Sequence, residues 1–321
     1  MGASSSLKLN NGLDCPMIGL DVSQIIIEDL QQISVEDIIY QSILEGVRLI
    51  DTEPSYEITV GNQIKRAIDE NRVKRSDLFI VAKMELKDKD DPLKAISQSL
   101  ENLQLNYVDL YLDHWPSCIN YKDPNSTGLI PIYRTWEKME NLVTLGKTKA
   151  IGVCNYNIEN LLNIISRCRI KPAVNEVEFN PYLYQSDLKQ FCDLENIKIF
   201  AYNPLAKGVY YQKRINLLNK YEGYLEAPLN YLANSYRITR NQLTINWHFG
   251  LGIVPILGAN ITKPITNDEI QSEKARKEIQ EIFKVNKIDL DKKYIELLNS
   301  FTENQYRLND GSDIFGINIF A

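Results

Sequence analysis

Eight short apolar runs recur along the chain, each followed by a helical pattern or a loop, and nothing else in the sequence narrows the possible folds as far. The runs are Met17–Leu20, Val47–Ile50, Leu78–Ala82, Val108–Leu112, Ala150–Val153, Ala173–Val177, Ile197–Ala201 and Ile253–Leu257. Their apolar residues are often consecutive rather than alternating, which is how strands buried on both faces read. Helical spacing fills many of the intervals. Ser34 and the acidic Glu36 and Asp37 open one helix, Pro92 and Pro131 start two more, and Asn157 caps a fourth. Asp187–Leu194, Pro228–Ala233, Gln242–His248 and Lys274–Phe283 predict the others.

Repeated βα units leave two architectures, a closed barrel and an open doubly wound sheet. An open sheet holding a dinucleotide wants a GxGxxG turn after an early strand, and the chain has none. Even spacing of the units favours the α/β class as a (β/α)8 TIM barrel. Leu7–Pro16, turning at Asn11-Gly12, predicts an N-terminal β-hairpin placed to plug the lower mouth. No linker interrupts the pattern, so residues 1–321 read as one barrel domain. Long connections at Pro204–Pro228 and Gly258–Asp268 follow the seventh and eighth strands, on the face where barrels carry function.

Composition removes several function classes. A net charge of -6, from 36 Lys+Arg against 42 Asp+Glu, offers no basic field to nucleic acid or anionic lipid. Two histidines, His114 and His248, cannot make a His-rich metal site. The five cysteines form no CxxC pair and suit a reducing compartment. Without a signal-like or membrane-length apolar run, the expectation is a cytoplasmic protein with no stable membrane association. Met1–Ser6 fits the myristoylation pattern, but so short a match recurs by chance, and a polar flexible start is the preferred reading. Oligomeric state is left open.

Barrel chemistry collects at the C-terminal ends of the strands. The second run ends in Asp51, with Tyr56 in the loop beyond it; the third ends in Lys83 and the fourth in His114. The fifth ends in Cys154-Asn155, the sixth carries Glu176 and Glu178, and the seventh ends in Tyr202-Asn203. A phenol is a poor acid near neutrality, with a pKa of about 10. A nearby ammonium favours phenolate, a carboxylate holds that ammonium in place, and a histidine can donate to a substrate oxygen. Asp51, Tyr56, Lys83 and His114 therefore predict a proton-donating site for a carbonyl under reduction, with a cofactor as hydride source. Singly, each is ordinary: a helix cap, a packing tyrosine, a snorkelling lysine, a structural histidine. Their conjunction at successive strand ends carries the reading.

These segments resemble the aldo-keto reductases from about Leu7 to Phe283. Asp51-Thr52 with Tyr56 is similar to the signature Asp-Thr-Ala-x-x-Tyr, and Val81-Ala82-Lys83 to the family's lysine strand. Asp109–Pro116 is similar to its histidine motif, Gly152–Tyr156 to Gly-Val-Ser-Asn-Phe, and Pro172–Glu178 to Pro-x-Val-Asn-Gln-x-Glu. Ala201-Tyr202-Asn203-Pro204-Leu205 is similar to the strand that follows. The resemblance implies NADPH-dependent reduction of aldehydes or ketones, NADH being the alternative. It makes Tyr56 the general acid, with Lys83 and Asp51 lowering its pKa and His114 orienting the carbonyl. Tyr202 would stack on the nicotinamide, Asn155 with Cys154 and Glu176 would hold its carboxamide, and Asn203 and Leu205 extend the cofactor wall. Ile25 and Trp115 become substrate-pocket candidates. The overall form looks most like the fungal reductases of α-keto amides, diketones and conjugated carbonyls.

Departures from the family pattern are as informative. Gly19-Leu20-Asp21-Val22 replaces Gly-x-Gly-Thr, setting a carboxylate near the cofactor. Tyr56–Gly61 is shorter than Tyr-x-x-Glu-x-x-x-Gly. Cys154 stands for Ser and Glu176 for Gln; Glu176 can accept from the carboxamide, and its charge favours the oxidised, cationic ring. Pro255–Ala259 lacks the Lys and Ser that usually meet the adenosine phosphate, leaving Lys263, Lys274 and Arg276 as candidates for the 2′-phosphate. A catalytically weak nicotinamide-dinucleotide sensor or interaction protein is the alternative reading.

Overall fold

The computed structural model describes residues 6–27, 34–116, 130–206, 222–261, 276–277, 279–300 and 307. The predicted hairpin is present as β1 (Ser6–Lys8) and β2 (Asp14–Pro16), paired antiparallel with Leu7 opposite Cys15. Gly12 makes the turn at φ +82, a conformation costly for any residue with a Cβ. The Asn10 and Asn11 side-chain amides donate to the Pro172 and Lys149 carbonyls at 2.8 and 3.0 Å, tying the hairpin to the barrel floor.

All eight expected runs are strands of one closed, all-parallel barrel. They are β3 (Gly19–Asp21), β5 (Leu49–Asp51), β6 (Phe79–Met84), β7 (Val108–Asp113), β8 (Thr148–Cys154), β9 (Val174–Glu178), β10 (Lys198–Tyr202) and β11 (Val254–Leu257). A separate two-residue pairing joins β4 (Ile26–Ile27) to β12 (Asn260–Ile261). The helices are α1 (Val35–Leu44), α2 (Glu57–Asp69), α3 (Pro92–Leu103), α4 (Ile132–Thr144), α5 (Ile158–Ile165), α6 (Ser186–Leu194), α7 (Glu222–Tyr236), α8 (Arg240–Gly250) and α9 (Lys292–Asn299). Side-chain caps at Ser34, Asp91 and Asn157 start α1, α3 and α5 at the expected places. Helix α7 runs well past the expected Pro228–Ala233 and carries Pro228 inside it.

Helix α2 has no counterpart in the sequence reading. It lacks a side-chain cap and carries Gly61 in its interior. That glycine is where it docks: a Cβ there would meet the Asn102 carbonyl and Leu103 backbone of α3 at 2.7 Å. Buried Glu57, at the start of α2, accepts from Asn102 Nδ2 at 3.0 Å and fixes the same contact.

Strand periodicity sorts the core into two layers. Leu49, Phe79, Val81, Leu110, Leu112, Val174, Phe200, Val254 and Ile256 fill the barrel interior, and Leu9 and Cys15 of the hairpin close it below. The alternate residues, Ile50, Ile80, Ala82, Tyr111, Ile151, Val177 and Ile199, pack outward against the helices. One more inward step along five of these strands passes from apolar to polar. Leu49 leads to Asp51, Val81 to Lys83, Leu112 to His114, Val174 to Glu176 and Phe200 to Tyr202.

Candidate active site

These strand ends border a cleft lined by Asp21, Glu53, Lys83, His114, Glu176 and Tyr202, with Ser23, Gln24, Cys154, Asn155, Glu178 and Asn203 completing it. Lys83 is the centre. Its ammonium lies 2.5 Å from Asp51 Oδ2 and 3.0 Å from Glu176 Oε1, and all three side chains are almost wholly buried. Burial alone would lower the Lys83 pKa, but the two carboxylates outweigh it and hold the ammonium well above its usual range. Burial, joined for Asp51 by the repulsion of Glu176, raises both carboxyls, with Lys83 opposing the shift. One ammonium between two buried carboxyls is charge-balanced when one of the two carries a proton.

His114 is pushed down to about 3 by burial and by the Lys83 and Lys89 ammoniums, so it is a neutral imidazole near neutrality. The loop behind it is fixed by a buried network. Lys89 Nζ meets Asp113 at 2.9 Å and also donates to the Trp115 carbonyl, while Tyr156 donates to Asp113 at 2.7 Å.

Asn155 and Asn203 turn the chain at two strand ends with φ of 65 and 48, a region that Asn enters more readily than most residues. The Asn155 amide is engaged within the protein: it donates to the His114 carbonyl at 3.2 Å and accepts from the Tyr202 hydroxyl at 2.8 Å. That second bond fixes the Tyr202 ring at the cleft edge. Asn203 donates to Glu178 at 3.2 Å. Cys154 Sγ sits 3.9 Å from Glu176 Oε1.

Not every expected residue is at the cleft. Tyr56 caps α2, its ring packs against the outer core, and among the described residues its hydroxyl makes no hydrogen bond. Ile25 packs against the outer core and a small cluster of Ile38, Ala259 and Ile279, and Trp115 is buried behind His114; neither lines the cleft. Leu205 packs against a cluster of Met17, Ile245, Phe249, Leu257 and Ile282. Lys263 and Lys274 lie outside the described residues. Arg276 is described, and its guanidinium is paired with Glu45 at 2.7 Å.

Sequence reasoning passed over Ser23, Gln24 and Glu53. Glu53 had a visible signal, since the signature that Asp51 opens has alanine where this chain has a glutamate.

The nicotinamide end of a dinucleotide fits this cleft on one structural observation. Glu176 Oε2 is buried with no hydrogen-bond partner, and an acceptor left so is costly unless a ligand amide meets it.

Comparison with known proteins agrees with the geometry. The family model described as "Aldo/keto reductase family" matches residues 30–303. The chain is 33% identical over 276 residues to the NAD(P)H-dependent D-xylose reductase XYR1 of Pyricularia oryzae, covering 79% of this chain and 84% of that one. It is 33% identical over 252–253 residues to two Bacillus subtilis proteins, one of them a glyoxal reductase of which it covers 81%. Among solved structures, a Bombyx mori aldo-keto reductase in complex with NADP superposes with a TM-score of 0.76 at 26% identity, over 98% of this chain and 97% of the other.

Proposed function

Because the chain belongs to the aldo/keto reductase family, and is an oxidoreductase on that ground, we propose that it reduces small neutral carbonyl compounds to alcohols with NADPH, α-dicarbonyls foremost. The buried Asp51–Lys83–Glu176 triad at the barrel mouth carries this reading. Bound NADPH supplies the hydride. Tyr202 offers a ring for the nicotinamide to stack on, Glu176 Oε2 accepts from the carboxamide, and Asn155 keeps Tyr202 and the His114 loop in place. Neutral His114 donates to the substrate oxygen.

The proton comes from an ionisable group beside Lys83. Motif spacing nominates Tyr56, whose ring must leave its packing against the outer core for its hydroxyl to meet Lys83. Lys263, Lys274 and Arg276 are the candidates for the 2′-phosphate, and Arg276 reaches it by leaving Glu45.

The cleft itself argues for the substrate class. Among the described residues its wall carries Asp21, Glu53, Glu176 and Glu178 against the single ammonium of Lys83. A carbonyl compound bearing its own carboxylate is repelled there, whereas neutral dicarbonyls, keto amides and aldoses are not. The similarity to a glyoxal reductase points the same way.

Absorbance loss of NADPH and of NADH, measured with glyoxal, methylglyoxal, phenylglyoxal, xylose and pyruvate, tests the proposal. Turnover of the neutral dicarbonyls ahead of pyruvate, and with NADPH ahead of NADH, is expected. No turnover with any of them, together with tight NADPH binding, favours the sensor reading, which the position of Tyr56 supports.

A further inference from the structure

Behind His114 the barrel wall carries charge in an apolar layer. Asp113 is the last residue of β7 and, by the period of two, belongs with the outward residues of that strand. Its neighbours across the sheet are Met84 and Val153, and the outward residue before it is Tyr111; all three are buried in the outer core. A carboxylate in that layer is costly unless it is paired. Lys89, at the end of a short 3-10 turn over Leu86–Asp88, reaches it at 2.9 Å, and each of the two side chains is 2% exposed. Tyr156, from beyond β8, donates to the same carboxylate at 2.7 Å.

Stability does not account for such a pair. Taking two charges out of water costs about as much as their attraction returns, and apolar residues of similar volume often do as well or better. What the pair supplies is direction. Lys89 grips both chain neighbours of His114, the Asp113 carboxylate on one side and the Trp115 carbonyl on the other. The His114 carbonyl between them accepts from the Asn155 amide at 3.2 Å, and Asn155 is followed by Tyr156. The bonds close a circuit, from Asp113 through His114 and Asn155 to Tyr156 and back to Asp113. Asn155 also accepts from the Tyr202 hydroxyl at 2.8 Å, which ties the circuit to the aromatic face at the cleft edge. The sheet alone holds this end of β7 weakly, since His114 N reaches the Met84 carbonyl only at 3.4 Å, beyond the usual range of an N–H···O bond.

We propose that Lys89 and Asp113 are positioning residues of this reductase, holding residues 113–115 so that the His114 imidazole points at the substrate oxygen while Tyr202 keeps its place beside it. The assignment rests on the carbonyl-reductase reading and deepens it. Neither residue lines the cleft; both act through His114. Lys89 adds an electrostatic part: burial first, then the Lys83 and Lys89 ammoniums, push His114 down to about 3, which keeps the imidazole a neutral donor.

The test compares wild type with Lys89→Met and with a triple variant, Lys89→Met, Asp113→Leu and Tyr156→Phe, which makes the whole cluster apolar in the full-length chain. The urea midpoint, kcat and KM with NADPH and phenylglyoxal, and NADPH affinity by fluorescence are read for each. The His114 imidazole resonances are recorded by NMR in the cofactor-free proteins; His248 is the only other histidine, which makes assignment simple. Lys89→Met strands the Asp113 charge and should lower both the urea midpoint and kcat. The triple variant should regain the midpoint, yet its kcat should stay about 10- to 100-fold below wild type, the scale of a misplaced reacting group. NADPH affinity should hold, because the Asn155–Tyr202 bond is untouched, and KM should change far less than kcat. The His114 resonances should broaden or double in both variants. A triple variant with wild-type kcat overturns the assignment and leaves the pair a structural one, as do His114 resonances that match wild type in both variants. Should the triple variant fail to fold, Lys89→Met at about pH 5.5, where the stranded carboxyl takes up a proton, gives the same His114 readout with the same two outcomes. Wild type that turns over no carbonyl defeats the functional reading instead, and the NMR comparison still decides whether the pair fixes the imidazole.

Discussion

Replacing Lys83 by methionine keeps the stem and removes the charge, and the structure sets the size of the effect. The ammonium contacts two carboxyls, Asp51 at 2.5 Å and Glu176 at 3.0 Å, and none of the three side chains is more than 3% exposed. Removing one partner of a buried ion pair costs about 3–5 kcal/mol, because the other charge is left without compensation. The stranded carboxyls have one way out, which is to take up protons. Protonating a carboxyl of ordinary pKa near 4 costs about 1.4 kcal/mol per pH unit, so about 5 kcal/mol at pH 7.5 and about 2 kcal/mol at pH 5.5. In the variant the folded-state pKa lies above the unfolded one, so the folded chain binds the extra proton and stability falls as pH rises. Lys83→Met should therefore be markedly less stable than wild type at pH 7.5, and the deficit should shrink by about 3 kcal/mol at pH 5.5. Adding Asp51→Asn should restore much of the loss at pH 7.5, since one neutral amide then faces one carboxyl. Urea unfolding followed by tryptophan fluorescence at both pH values measures this. A deficit of the same size at the two pH values, or one below about 1 kcal/mol at pH 7.5, would refute the reasoning.

Two further perturbations test the frame around the site. Gly61→Ala puts a Cβ 2.7 Å from the backbone of α3 and should cost about 1–3 kcal/mol, the range for overpacking; an unchanged urea midpoint would mean that α2 is not docked there. The Glu45 carboxyl is held down to about 2, burial opposing the shift and Lys284, Gln280 and Arg276 outweighing it. Its contribution to stability is full above its ordinary value near 4.5 and lost as pH falls toward 2. Glu45→Gln should therefore narrow its gap to wild type as pH drops from 6 to 3, and a gap that stays constant would count against the pairing.

The barrel was legible because each of its strands is buried on both faces and so reads as a run of apolar residues between turns. The inward residue at each strand end was legible for the same reason: a period of two fixes which side chain faces the axis once the apolar run is placed. Asp51, Lys83, His114, Glu176 and Tyr202 follow from that arithmetic. Arg276 did not, because its partner Glu45 is 231 residues away and the pairing depends on how the end of α1 meets a segment on the far side of the sequence. The chain also gave no local sign of α2, whose start has no side-chain cap and whose interior glycine is a docking point.

Tyr56 and Glu53 separate two ways of measuring position. A motif counts residues forward from Asp51, and by that count Tyr56 is in place. The helix that follows is anchored from its other side, at Gly61, five residues beyond Tyr56. A short connection between two anchors leaves little slack, so the residues nearest the helix are drawn into its first turn, and those nearest the strand remain at the cleft. Tyr56 N and Val60 N already belong to turn and helix hydrogen bonds, to the Glu53 and Tyr56 carbonyls at 2.9 Å each. Bringing the Tyr56 hydroxyl to Lys83 requires rotating the side chain out of the outer core or breaking those bonds. Glu53 needs neither movement to face the cleft, which is how a residue that the motif treats as filler comes to line it.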